Sequence, residues 1–240
     1  MTNALEIKDL RKDFGDFSLK DISFSLPEGY IMGLIGPNGA GKTTTIKLIM
    51  NLLKKNGGSI SLFGKDHIQH EVAVKSRIGF VYDNPNFYGH LTLKQVKNII
   101  APFYKSWDEK AFSDLADRFD LPLKKTLKKF SRGMVMKAAI AIALSHHADL
   151  IIMDEPTSGL DPKSGQEFLN LLIQMRDQGK SVFMSTHDIF RAKLIADRVG
   201  FMKKGRLVMM KTRQELAGED LTELYIQYME ERPESEQGNP

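Results

Sequence analysis

The residues Gly36-Pro37-Asn38-Gly39-Ala40-Gly41-Lys42-Thr43 carry the most specific chemistry in the chain. Their spacing, G-x-x-x-x-G-K-[S/T], is that of a loop that wraps a triphosphate. Such a loop turns backbone N–H groups inward, which takes small residues and unusual backbone angles. Lys42 can reach the outer phosphates of ATP, and the Thr43 hydroxyl can take a place on Mg²⁺. A second cluster closes the apolar run Leu150-Ile151-Ile152-Met153, which ends in Asp154 and Glu155. Asp154 is placed to hold Mg²⁺, directly or through water. Glu155 lies one residue on and faces differently, as a general base for an attacking water would.

These groups need a scaffold that brings two distant segments together. Residues 30–35 read as a buried strand that feeds the glycine-rich loop, and residues 42–53 read as a helix that aims its positive end at the anion. Gly57 and Gly58 stop that helix, and residues 59–63 return to strand. Upstream the chain is β-rich: Leu19, Ile22, Phe24 and Leu26 fall mostly at period two before the turn Pro27-Glu28-Gly29. Further strands are expected at 149–153, 181–185 and 199–202, with helices at 164–178 and 189–196. Strands alternating with helices predict a mainly parallel α/β sheet covered on both faces, with ligands at the carboxyl ends of its strands. Residues 84–147 are helical in periodicity and hold the lone Trp107, expected in a core. They read as an inserted helical lobe. One domain is expected over 1–230, with a core of 1–83 and 148–218. An extension over 219–240 ends in a polar, proline-containing tail expected to be disordered.

With 240 residues, 42% hydrophobic and 27% charged, the chain has the balance of an ordinary globular domain. A net charge of +4 suits ATP, acidic lipid or nucleic acid and selects none of them. Lys124, Lys125, Lys128 and Lys129 are expected to form a solvated face. The absence of cysteine excludes disulfides, thiolate metal sites and cysteine nucleophiles. The N-terminus lacks the apolar core of a signal peptide, and no apolar run approaches the ~20 residues that span a bilayer. Work at a membrane would need another chain to do the spanning. His146 and His147 are expected at the surface or in the core, not at a metal.

Further motifs fall in a fixed order around these two clusters. Phe14 precedes Gly15 ahead of the loop; Asp83 closes Ile78-Gly79-Phe80-Val81-Tyr82-Asp83; Phe130-Ser131-Arg132-Gly133-Met134 follows. Pro156-Thr157-Ser158-Gly159-Leu160-Asp161 succeeds the acidic pair, and Ser185-Thr186-His187 comes last. Over nearly its whole length the chain thus resembles the ABC ATPase family. The resemblance implies a P-loop NTPase (RecA-like) core with a mainly parallel sheet, an N-terminal antiparallel β subdomain and an inserted α-helical subdomain. It places Phe14 on adenine, Gly36 to Thr44 on the phosphates, and Thr43, Asp83 and Asp154 about the metal. Glu155 and His187 become catalytic, and Asp161 links two sites. Ser131, Arg132, Gly133 and Met134, the counterpart of the signature usually written LSGGQ, would close on the ATP of a second, facing subunit.

The chain departs from the family pattern at Asp83, where the family has Gln, and at Arg132 and Met134 in the signature. These variants look like those of bacterial export-type ABC ATPases. The implied function is an ATP-hydrolysing transporter subunit, with export favoured over import. It would sit on the cytoplasmic face of the cell membrane beside transmembrane permease subunits, with a groove at 83–88 receiving a cytoplasmic helix. A soluble ABC ATPase acting on ribosomes or DNA is the rival reading, and a regulatory nucleotide-binding module without turnover is a third. On the leading reading no nucleic acid partner is expected.

Overall fold

The computed structural model describes residues 2–157 and 159–230. Apart from Glu230, the tail expected to be disordered lies outside the described residues. The chain opens with the long antiparallel strands β1 (Asn3–Asp13) and β2 (Ser18–Pro27). They join β4 (Gly57–Leu62) and the short β5 (Lys65–Asp66) in a four-stranded antiparallel sheet of order β2-β1-β4-β5. Between β2 and β4 the chain leaves this sheet to form β3 (Ile31–Ile35) and α1 (Lys42–Ile49).

β3 belongs to a second sheet, of order β10-β9-β3-β8-β7-β6. β6 (Ile78–Val81) follows the short helix α2 (Glu71–Lys75). β7 (Leu150–Asp154), α6 (Pro162–Asp177), β8 (Ser181–Thr186), α7 (Ile189–Ile195) and β9 (Arg198–Lys203) then alternate as strand and helix. All neighbouring pairs from β9 to β6 are parallel, and β10 (Arg206–Thr212) caps the edge antiparallel to β9. The helix α8 (Leu221–Met229) ends the described chain and packs on β9, with Tyr225 edge-on to Phe201.

The apolar runs seen in the sequence have a simple cause. On β7, Ile151 and Met153 enter one core while Leu150 and Ile152 enter the other; β3 and β8 divide their side chains in the same way. A strand covered on both faces has no polar side to show, so alternation disappears and the run reads as continuous. One core lies under α6, α7 and the helical region, the other under α1 and the antiparallel sheet.

Between β6 and β7 the described chain forms no strand. It holds α3 (Leu93–Ile100), α4 (Glu109–Arg118), α5 (Arg132–Leu144) and two 3-10 turns, Ala101–Phe103 and Leu127–Lys129. α5 packs against α3, α4 and β6. Every residue of α5 from Ala138 to Leu144 is buried, so this half of the helix is apolar all round. Trp107 is tilted against Phe112 within this core, as expected. The four lysines Lys124, Lys125, Lys128 and Lys129 are exposed.

Several boundaries differ from expectation. α1 stops at Ile49 rather than near residue 53, because Met50 leaves helical geometry and Asn51 turns to φ 52°. Gly57 and Gly58, expected as a stop before the strand, begin β4 itself. α2, β5, β10 and α8 had no strong period to announce them.

Candidate active site

Six helices, α3 to α8, begin at a Ser, Thr or Asp whose side chain accepts a hydrogen bond from a first-turn N–H. α1 does not. It begins at Gly41, in the left-handed region at φ 109°, with no side-chain cap. Its first N–H groups are left for an outside acceptor, and the helix dipole favours an anionic one. Side chains are also shut out sterically. A Cβ on Gly41 would meet Leu19 Cδ2 at 2.6 Å, and one on Gly36 would run into the carbonyl oxygen of Met202. The loop can follow this path only with glycine at both points.

The parallel sheet then gathers the rest. β3, β8, β7 and β6 are neighbours, and their carboxyl ends lead directly into Gly36, His187, Glu155 and Asp83. Register brings Asp154 opposite Ser185, and Ile35 opposite Thr186. The result is a cleft of about 440 Å³. It is lined by Pro37, Asn38, Gly39, Ala40, Gly41, Lys42, Thr43 and Thr44, with Asp83, Glu155 and Phe17.

Lys42 is buried beside the loop. Its Nζ donates to the carbonyls of Gly36 at 2.7 Å and Pro37 at 3.2 Å, and stands 3.4 Å from Glu155 Oε1. Glu155 sits at φ 46°, a left-handed angle uncommon for a residue with a side chain. The turn redirects Glu155 away from the line of β7. Its Oε2 accepts from the His187 backbone N–H at 3.3 Å and lies 2.9 Å from His187 Nδ1. Lys42, Glu155 and His187 therefore form one connected chain of charge and hydrogen bonding.

Asp154 is fully buried, and the Ser185 hydroxyl donates to its Oδ1. Burial pushes its carboxyl above the usual range, and the charges of Asp83 and Glu155 push the same way; Ser185 and Thr43 oppose them. Asp154 Oδ2 is shut off from solvent with no hydrogen-bond partner, and Glu155 Oε1, equally buried, has only the ion pair with Lys42. An orphaned carboxylate oxygen on Asp154, beside the Thr43 hydroxyl, fits a hard divalent cation such as Mg²⁺. Among the described residues no group of three His, Asp or Glu side chains is placed to hold a metal by itself, so phosphate oxygens would have to complete the shell.

The other sequence candidates fall outside this cleft. Phe14 is 49% exposed and does not line it; it lies against Phe17, ring centroids 6.5 Å apart, and Phe17 is the aromatic at the cleft wall. Phe17 was not singled out from sequence, although its place just before β2 could have marked it. Ser131 caps α5, accepting from Met134 N at 3.2 Å, and Asp161 caps α6, accepting from Ser164 N at 3.0 Å. Arg132 and Gly133 pack on Gly159: a Cβ on Gly133 would come 3.0 Å from the Gly159 oxygen, and one on Gly159 would meet Arg132 Cδ at 2.9 Å. Of the two adjacent histidines, His146 is buried and His147 is exposed and paired with Asp108.

A sequence model of the ABC transporter family matches residues 19–158, from the start of β2 through the loop after β7. The chain belongs to the ABC transporter family. It is 32% identical to the bacitracin transport ATP-binding protein BcrA of Bacillus licheniformis over 212 residues, 87% of this chain and 69% of that protein. It is 33% identical to a fluoroquinolones export ATP-binding protein of Mycobacterium tuberculosis over 200 residues, 83% of this chain and 66% of the relative. Among solved structures, an ATP-binding subunit of an ABC transporter superposes with a TM-score of 0.86 at 29% identity, covering 95% of this chain and all of that one. A dimeric post-hydrolysis ATP-binding cassette bound to ADP and Pi superposes at 0.76 and 25%, covering 87% and 98%. This ABC subunit is thus an ATP-binding, ATP-hydrolysing cassette with the P-loop NTPase fold.

Proposed function

We propose that this ABC cassette closes head to tail on ATP and Mg²⁺ with a second cassette, a copy or a close relative. Closure and reopening would then drive a membrane-spanning partner, in the direction of export. The observation that carries the reading is the connected set Lys42, Glu155 and His187 at the mouth of an uncapped helix. Loop amides and Lys42 hold the outer phosphates, Lys42 exchanging the Gly36 and Pro37 carbonyls for phosphate oxygens. Glu155 takes the proton of the attacking water. His187, tethered to Glu155, orients that water or steadies the transferring group. Thr43 and Asp154 would hold Mg²⁺, with Asp83 reaching it through water, and the ion when bound would offset the charge of the phosphate oxygens. Phe17, with Phe14 stacked outside it, offers the aromatic face for adenine.

Within one chain the signature residues Ser131 to Met134 line no part of the cleft, which favours their acting across a dimer; the dimeric solved relative supports this. Asp161 then lies where the two sites meet. Among the described residues no helix is long and apolar enough to cross a membrane, and the coupling partner in this reading is a permease subunit. Its docking site is the groove of about 710 Å³ beside the cleft, where Asp83 and Thr43 line both spaces. The subunit would lie on the inner face of the cell membrane. Export follows the fluoroquinolones export relative, and the bacitracin transport relative supports transport. No observation favours action on ribosomes or DNA.

Sedimentation of Glu155→Gln tests the closure. With ATP and Mg²⁺ this variant should accumulate as a dimer that the wild type forms only transiently. A variant that binds ATP yet stays monomeric at every concentration sinks the sandwich.

A further inference from the structure

His146 follows α5 on the floor of the docking groove. The residue is 1% exposed, and its ring lies flat on Tyr104, centroids 3.9 Å apart and planes 14° from parallel. Neither ring nitrogen has a hydrogen-bond partner in the chain. The other histidines near cores or pairs are satisfied: His67 Nδ1 reaches the Ile60 carbonyl at 3.1 Å, His147 pairs with Asp108, and His187 with Glu155. Burial lowers the His146 pKa to about 4, so the ring is neutral at ordinary pH, with one nitrogen donating and the other accepting.

Such a group is costly where it stands. A phenylalanine would fill the same place and keep the stack on Tyr104 without two buried unsatisfied nitrogens. Packing therefore explains an aromatic ring at 146 and does not explain an imidazole. The surroundings say what would satisfy it. Ile100, Ile142 and Ala143 share the groove wall, an apolar setting in which an added charge would be desolvated. Of the groove's two charged groups, Asp83 also lines the nucleotide cleft, whereas Lys47 lines the groove without lining the cleft.

We propose that His146 reads the docking partner: the cytoplasmic helix of the membrane-spanning subunit lays an apolar face in this groove and brings one neutral hydrogen-bonding side chain, a hydroxyl or an amide, to the imidazole. Tyr104 is the cover of this contact. It follows the Ala101–Phe103 turn, beside the 80% exposed Phe103, and lines the same groove, so the partner displaces it in reaching the imidazole. This inference rests on the transporter reading and adds to it the chemistry by which the partner is chosen.

The test uses the full chain, purified from detergent-solubilised membranes with the multispanning protein that accompanies it, identified by mass spectrometry. His146→Phe should melt at or above the wild-type temperature and keep the ATPase rate of the isolated chain. It should nonetheless retain about tenfold less of the membrane protein, the worth of one buried hydrogen bond. His146→Gln, which keeps a neutral donor and acceptor, should recover most of the retention. Equal retention by His146→Phe overturns the inference and leaves the transporter reading standing. A sharp fall in its melting temperature also overturns it, because the imidazole would then be structural. If the wild type accompanies no multispanning protein, the transporter reading falls and this inference with it.

Discussion

Two neighbouring spaces share a wall in this cassette and are built on opposite rules. The nucleotide cleft is a concentration of named polar groups: a lysine, two carboxylates, loop amides and a tethered histidine. The groove proposed for docking is larger and is walled by Phe80, Val81, Phe87, Ile100 and the flank of α5, with a few polar groups among them. Phosphate chemistry dictates residue identity at nearly every point, so it leaves a motif. A groove for a helix dictates shape and apolarity, which many sequences satisfy, so it leaves none. Asp83 and Thr43 face both spaces, and any coupling between them passes there first.

The contrast can be broken or sharpened by substitution. The largest effect is expected from Glu155→Gln, with turnover down about 10²-fold or more while ATP still binds, measured by phosphate release and titration calorimetry. Near-normal turnover would remove Glu155 from its role. Lys42→Ala should weaken ATP by about 10- to 100-fold in the same titration and leave the groove untouched, since it deletes a charge-assisted contact to phosphate.

Asp154→Asn should stop metal-dependent hydrolysis yet stabilise the nucleotide-free protein by about 1 kcal/mol at neutral pH, read by urea denaturation. The sign follows from burial. Asp154 has a pKa raised above 3.8, so its contribution to stability is whole below that value and is lost as pH rises through the folded pKa. The gap between variant and wild type should therefore widen with rising pH, and a constant gap would place the effect elsewhere. The smallest effect belongs to Asp83→Gln. The residue is exposed, so turnover should change by only about two- to fivefold and the change should shrink in 1 M salt. A salt-independent change would mean direct contact with the metal.

The sequence displayed the cleft and its sheet well. Residues 37–44 and Glu155 line one cleft, and His187, which only the family resemblance marked, pairs with Glu155; loop, strand and dipole arguments are local and each segment satisfies its own. Legibility failed where side chains from different segments decide the outcome. Phe14 and Phe17 look equivalent on paper, and only the path into β2 puts Phe17 at the wall. β10 shows no clean alternation: it borders a sheet edge, and most of its residues are half-buried. α8 hides its face because Leu221 is its only fully buried residue, while Tyr225 and Tyr228 pack with their rings partly exposed. His146 could be placed as surface or core, but its stacking on Tyr104, 42 positions away along the chain, is decided only by the fold.

The bonds of Lys42 to its own loop bear on how products leave. Two carbonyls and a glutamate already occupy this ammonium, so in the proposed binding mode an arriving phosphate displaces satisfied neighbours rather than filling a need. Affinity is the difference between the two sets of contacts, and the internal set holds it below its ceiling. Once the terminal phosphate has gone, those same carbonyls compete for the lysine again. The loop thereby carries a built-in rival to spent nucleotide, which favours turnover over tight storage.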